Sequence, residues 1–327
     1  SRYVGDGEGN LAGIDIVEVR FDAGRFVQVE GTARPIPPHL ALLAGTPDNL
    51  IGTAHSRLRP PLQRLDLTDD TAVRAAFAAW RPELVIHAAA ERRPDQVDRA
   101  PQAAQRLNVS ATALLAELAA ASGARFIYIS TDYVFDGRTP PYAEDARPNP
   151  LNDYGRMKLA GEEAVRHAYA AGDPAAYAII RIPILYGRAE TLAESPVTEL
   201  AAKLRTDTPL LVEDWAARYP AHVDDVARAL ALIAKQMDAP SAASTGGIYH
   251  FAGHEAMTKY GMACVMARTL GLDPSQVKPD PNPPSGAPRP KDCRLLPTRL
   301  EALGFAPKIA FSTGVREALT SFFPDLD

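Results

Sequence analysis

Two cysteines in 327 residues, Cys264 and Cys293, are too few for a disulfide framework and stand at no metal-ligand spacing. That shortage points to a reducing, cytoplasmic setting. No apolar run approaches the roughly 18 residues that a membrane-spanning helix needs. The first residues, Ser1-Arg2-Tyr3-Val4-Gly5-Asp6, hold no signal-peptide core, so neither export nor membrane insertion is expected. Basic charge is also short: a formal net charge of −5 argues against a nucleic-acid or anionic-membrane surface. No internal repeat is visible. The hydrophobic content, 46%, is ordinary for a globular chain and suffices for one large or two modest domains.

Against these absences stand several strand-like apolar runs. Phe126-Ile127-Tyr128-Ile129 suits a buried strand of a parallel sheet, and it delivers Ser130, Thr131 and Asp132 to its carboxyl end, where open α/β sheets bind ligands. Tyr154 and Lys158 lie four apart at the start of a segment whose pattern predicts a helix over 154–167, so both side chains share a face. A lysine cation beside a tyrosine favours the phenolate, so the pair can exchange a proton with a substrate oxygen that the Thr131 hydroxyl also holds. Chance alone supplies about 0.24 Tyr-x-x-x-Lys pairs in a chain of this composition. The weight therefore rests on the Ser-Thr-Asp strand end placed upstream of the tyrosine.

Further runs alternate with helical patterns. Residues 50–54 read as a strand ending in His55-Ser56-Arg57, and residues 84–90 as a buried-strand run closing in Ala88-Ala89-Ala90, small enough for a dinucleotide to lie against the backbone. His87, inside that run, reads as a packed histidine. No acid follows 50–54; a basic residue there suits a 2′-phosphate, which favours NADP, although Arg57 also fits a solvated loop. Thr68 or Asp69 fits a helix cap. Residues 176–182 form another strand pattern, 247–251 a shorter one, and Asp224 or Asp225 reads as the cap of a helix. Residues 279–290 hold six prolines, consistent with a pocket wall or a surface linker. The alternation predicts an α/β fold with a doubly wound, Rossmann-like parallel sheet. The lobes interleave: 1–182 plus 221–251 form the dinucleotide-binding lobe and 183–220 plus 252–327 the smaller substrate lobe.

The beginning is atypical. Residues 14–21 and 25–29 alternate like a β-hairpin, whereas a dinucleotide-binding domain opens with one strand, a glycine-rich turn and a helix whose N–H groups meet the pyrophosphate.

Ser130-Thr131-Asp132-Tyr133-Val134-Phe135-Asp136-Gly137, Tyr154-Gly155-Arg156-Met157-Lys158 and Arg181-Ile182-Pro183-Ile184-Leu185-Tyr186-Gly187 together resemble the extended short-chain dehydrogenase/reductases. Within these the resemblance is to the branch holding dTDP-4-dehydrorhamnose reductase and the beta regulatory subunit of methionine adenosyltransferase, over residues 48–320. It implies Thr131, Tyr154 and Lys158 as catalytic groups. It places NADP(H) against Gly31, His55, Ser56, Arg57, Asp66, Leu67, Ala88, Ala89, Ala90, Asn108, Pro183 and Ile184, and a nucleotide-sugar-like ligand against Asp132, Arg181 and Arg289. Of the family's glycine-rich turn only Gly31 matches; Arg34 and Pro37 stand where glycines are expected, and prolines remove N–H donors. Glu91-Arg92-Arg93-Pro94-Asp95 is similar to the beta subunits rather than to the reductases. The resemblance thus implies a regulatory subunit that binds the methionine adenosyltransferase catalytic subunit. An NADPH-dependent reductase of a 4-keto nucleotide sugar is the alternative.

Overall fold

The computed structural model describes residues 17–19, 50–55, 63–189, 191–205, 208–237 and 246–323. Eleven strands are found among them. A seven-stranded sheet holds β1 (Val17–Val19), β2 (Leu50–Ala54), β3 (Gln63–Arg64), β4 (Leu84–His87), β5 (Arg125–Thr131), β6 (Tyr177–Ile182) and β10 (Gly247–His250), in the spatial order β10-β6-β5-β4-β1-β2-β3. Two small parallel pairs lie outside it, β7 (Leu185–Tyr186) with β9 (Ala221–His222), and β8 (Leu210–Glu213) with β11 (Val277–Asp280).

Every pairing in the large sheet is parallel except at β1, which runs antiparallel to both neighbours, with Val17 opposite Gly52 and Ile86 and Val19 opposite Leu50 and Leu84. β2, β4, β5 and β6 therefore end on one edge, and the chain leaves β1 at the other. An antiparallel ladder pairs at least as well per residue as a parallel one, so hydrogen bonding does not oppose this orientation. The predicted 14–21 and 25–29 hairpin and Gly31 lie otherwise outside the described residues.

Helices cover both faces. On one, α1 (Asp70–Trp80), α4 (Ala111–Ser122) and α5 (Asp153–Ala168) bury Val73, Phe77, Leu114, Leu115 and Val165 against Val85, Phe126, Tyr128 and Ile179. α1 is capped by the Asp69 carboxylate, which accepts from the Ala72 N–H at 3.0 Å. α5 fits so closely on β5 that a Cβ at Gly161 would collide with the Tyr128 hydroxyl. On the other face, α7 (Val223–Met237) packs Val226, Leu230 and Ile233 on Leu84, Ile86, Ile127 and Ile180.

The short helices α2 (Pro94–Arg99) and α3 (Pro101–Gln105) precede a π-helical turn, Arg106–Ser110, that leads into α4. A third core unites Tyr186, Leu200, Val212, Met262, Met266, Val315 and Leu319 from β7, α6 (Thr198–Lys203), β8, α8 (Lys259–Thr269) and α10 (Phe311–Thr320). The division of the chain is less tidy than expected. Leu300 of α9 (Thr298–Ala302) and Phe305 join the α7 side of the sheet, and Arg299 donates to the Gly246 and Ile248 carbonyls, so part of 252–327 belongs with the sheet. Nor does Asp225 cap α7: its carboxylate accepts from the Lys308 and Ile309 N–H groups at 3.0 and 2.9 Å, which pins that same segment down.

Candidate active site and cofactor cleft

β5 ends at Thr131, whose hydroxyl accepts from the Tyr133 N–H at 3.2 Å and donates to Asp132 at 3.1 Å. Asp132 is buried, and that burial pushes its carboxyl up to about 7 even with Arg218 nearby. α5 begins beside it because the Asn152 carbonyl oxygen accepts from the Gly155 N–H at 2.8 Å, an N-cap that satisfies one of the helix's orphan donors. Tyr154 follows in the first turn, edge-on to Tyr133 with centroids 6.0 Å apart. Burial raises the Tyr154 hydroxyl well above its ordinary pKa, and a hydrogen bond with Thr131 only partly offsets this. One turn on, buried Lys158 donates to the Ile129 carbonyl at 2.7 Å with its ammonium 4.0 Å from the Tyr128 ring centroid, and burial lowers it to about 7 against the pull of Glu162. The expected phenolate is therefore disfavoured. Desolvation outweighs the Thr131 hydrogen bond and the Arg92 cation, and the arrangement holds a protonated tyrosine that can donate.

Arg181 sits elsewhere than on the ligand side. It is 1% exposed, and its guanidinium is held by Glu162 at 2.7 and 2.9 Å, with His250 3.3 Å away. Glu162 also accepts from the Ser130 hydroxyl at 2.5 Å. Beneath the site, His87 is buried 2.8 Å from the Thr112 hydroxyl, stacked on Tyr128, and held down at about 3 by burial and by Lys158. Arg289 bonds Asp95 at 2.6 Å rather than standing open. Reading the sequence gave no sign of Glu162; Asn152 was findable, as an asparagine three residues before Gly155 at a helix start.

On the cofactor side, the Asn108 amide and the Glu91 backbone bond reciprocally at 2.8 and 3.0 Å, and Asn108 lies in the π-helical turn, a distortion frequent at functional sites. Ala88, Ala89 and Ala90 line the end of β4, Pro183 is buried and Ile184 half-buried just after β6. Leu67 is buried, whereas exposed His55 lies 3.5 Å from Asp66, which is kept below the usual carboxylate range because Thr68 hydrogen bonds outweigh the effect of its partial burial. A polar recess opens there between Asp66, Asp69, Arg106 and Ser110. Ser56 and Arg57 lie outside the described residues. These walls suit the adenosine and nicotinamide ends of a dinucleotide. The segment expected to cradle the pyrophosphate, the turn at Gly31, lies outside the described residues.

A doubly wound α/β sheet with Thr131, Tyr154 and Lys158 at its carboxyl edge defines a protein of the extended reductase and epimerase fold. Residues 45–323 match the RmlD substrate binding domain, and the chain belongs to that family. It is 40% identical over 325 residues to methionine adenosyltransferase 2 subunit beta of Xenopus tropicalis, covering 94% of this chain and 95% of that one. To the dTDP-4-dehydrorhamnose reductase of Streptomyces griseus it is 34% identical over 265 residues, 80% of this chain and 83% of the other. Among solved structures, the dTDP-4-dehydrorhamnose reductase of Bacillus anthracis in complex with NADP superposes with a TM-score of 0.67 at 25% identity, covering 81% and 91% of the two chains.

Proposed function

We propose that this protein is a beta-type regulatory subunit of methionine adenosyltransferase, binding the catalytic subunit and modulating S-adenosylmethionine synthesis. The observation that carries the reading is likeness along nearly the whole of both chains, 40% over 325 residues, against 34% over 265 for the reductase. NADP is the proposed ligand of the cleft, with Asp66 and Leu67 toward its adenosine and Tyr154, Lys158 and Pro183 toward its nicotinamide. Co-elution with the catalytic subunit is the test.

A second reading is favoured by one observation, the survival of Thr131, Tyr154 and Lys158 together at one sheet edge. It is an NADPH-dependent reductase of a 4-keto nucleotide sugar. The nicotinamide supplies a hydride in such chemistry; Tyr154 would donate the proton, Thr131 would hold the carbonyl oxygen, and Lys158 would fix the tyrosine.

A further inference from the structure

Residues 91–95 leave the end of β4 and turn their polar groups toward two loops of the smaller lobe. Arg92 donates to the Glu194 carbonyl, and Arg93 to the Ala193 carbonyl at 3.1 Å. Asp95 accepts from the Ala287 N–H at 2.9 Å with one oxygen and from Arg289 at 2.6 Å with the other. The opposing loop approaches so closely that a Cβ at Gly286, where φ is +92°, would lie 2.5 Å from the Asp95 carboxylate. Arg289 is folded back on its own loop as well, donating to Ser285 and Ala287 carbonyls at 3.2 and 3.0 Å.

The same loop has a second anchor. Asn152, whose carbonyl oxygen caps α5, donates its amide N–H to the Pro288 carbonyl at 2.7 Å. One side chain thus joins the loop to the helix turn that bears Tyr154. Both flanks are electrostatically close to the site: Arg92 acts on the Tyr154 hydroxyl and Arg289 on that of Tyr133.

We infer that Asp95, Arg289 and Asn152 form a latch that ties residues 285–291 to the helix turn bearing Tyr154 and so excludes a nucleotide sugar. Entry of a diphosphate-bearing ligand then requires Asp95 to release Arg289, whose planar guanidinium matches a phosphate as well as a carboxylate. While the latch holds, apparent affinity for such a ligand is reduced by the fraction of molecules that are open. The inference rests on the interlobe contacts alone and stands whether or not a catalytic subunit binds.

The test uses the full chain and dTDP as probe. In Asp95→Ala and in Arg289→Ala, the amides of residues 285–291, Ala287 foremost, should exchange with deuterium about tenfold faster than in the parent, with the rest of the chain unchanged. The charge-swapped Asp95→Arg/Arg289→Asp chain should return toward the parent rate. dTDP should bind Asp95→Ala about tenfold more tightly than the parent, whereas Arg289→Ala, open but lacking the guanidinium, should show no gain. Parent-like exchange in both single variants, or equal dTDP affinity in the parent and Asp95→Ala, would overturn the latch. So would a chain-wide rise in exchange that the swap does not reverse, because Asp95 would then be supporting the fold as a whole.

Discussion

Tyr154 and Asp132 are the residues whose chemistry depends most on where the chain places them. Burial keeps the Tyr154 hydroxyl protonated, which suits a proton donor and not a base. Under the reductase reading, Tyr154→Phe abolishes 4-keto-sugar reduction and leaves the catalytic subunit's binding intact. Measured turnover that survives the substitution would remove Tyr154 from that role. For Asp132 the sign is set by a folded-state pKa of about 7 against 3.8 for the free group. Between those values the folded chain holds a proton that the unfolded chain has lost, so stability falls as pH rises through that window. Asp132→Asn should remove this slope, a difference of a few kcal/mol at most between pH 4 and pH 7, at up to about 1.4 kcal/mol per pH unit. Urea unfolding of both proteins at pH 4.5 and 7 checks it; parallel pH dependence would contradict it. Lys158 has the opposite sign: with its pKa depressed to about 7, stability rises with pH between there and 10.5. Thr131, Tyr154 and Lys158 were legible because a strand end and a helix face are both readable from period and spacing. Arg181 was misleading: a strand-end arginine reads as ligand-facing unless its carboxylate partner, Glu162 on another element, is known.

Among the elements, α5 depends on a side chain with two tasks. Asn152→Ala loses both the cap and the tie to Pro288, and should cost about 1–2 kcal/mol in unfolding free energy. Asn152→Asp keeps an acceptor for the cap but no donor for Pro288, so it should recover only the cap's share. Equal losses in the two variants would show that the cap contributes nothing. The π-helical turn between α3 and α4 was not legible, since a one-residue insertion leaves the hydrophobic period almost unchanged. β1 was only half legible. Alternation at 14–21 marked a strand, but direction within a sheet is decided by long-range pairing, and local sequence carries no signal for it. The contacts of 91–95 were likewise hidden, because their partners lie about 100 and 190 residues further along the chain.

At the scale of the whole molecule, the doubly wound sheet was readable from alternating apolar runs, and the three largest cores divide most of the burial between the sheet's two faces and the α6–α8–α10 side. No helix among the described residues is long and apolar enough to cross a membrane. The interleaved lobes were only partly separable in sequence, because Leu300 and Phe305 cross back to the sheet after the chain has entered the smaller lobe. The central claim, the proposal that this chain binds a methionine adenosyltransferase catalytic subunit, is tested most directly by gel filtration. The chain would be mixed with the methionine adenosyltransferase catalytic subunit of the same organism, with and without NADP. The account predicts one peak, larger than either protein alone, in both runs, and a shift in its stability with NADP if the cleft still holds the dinucleotide. Separate elution in both runs would contradict it and transfer the claim to the keto-sugar reductase.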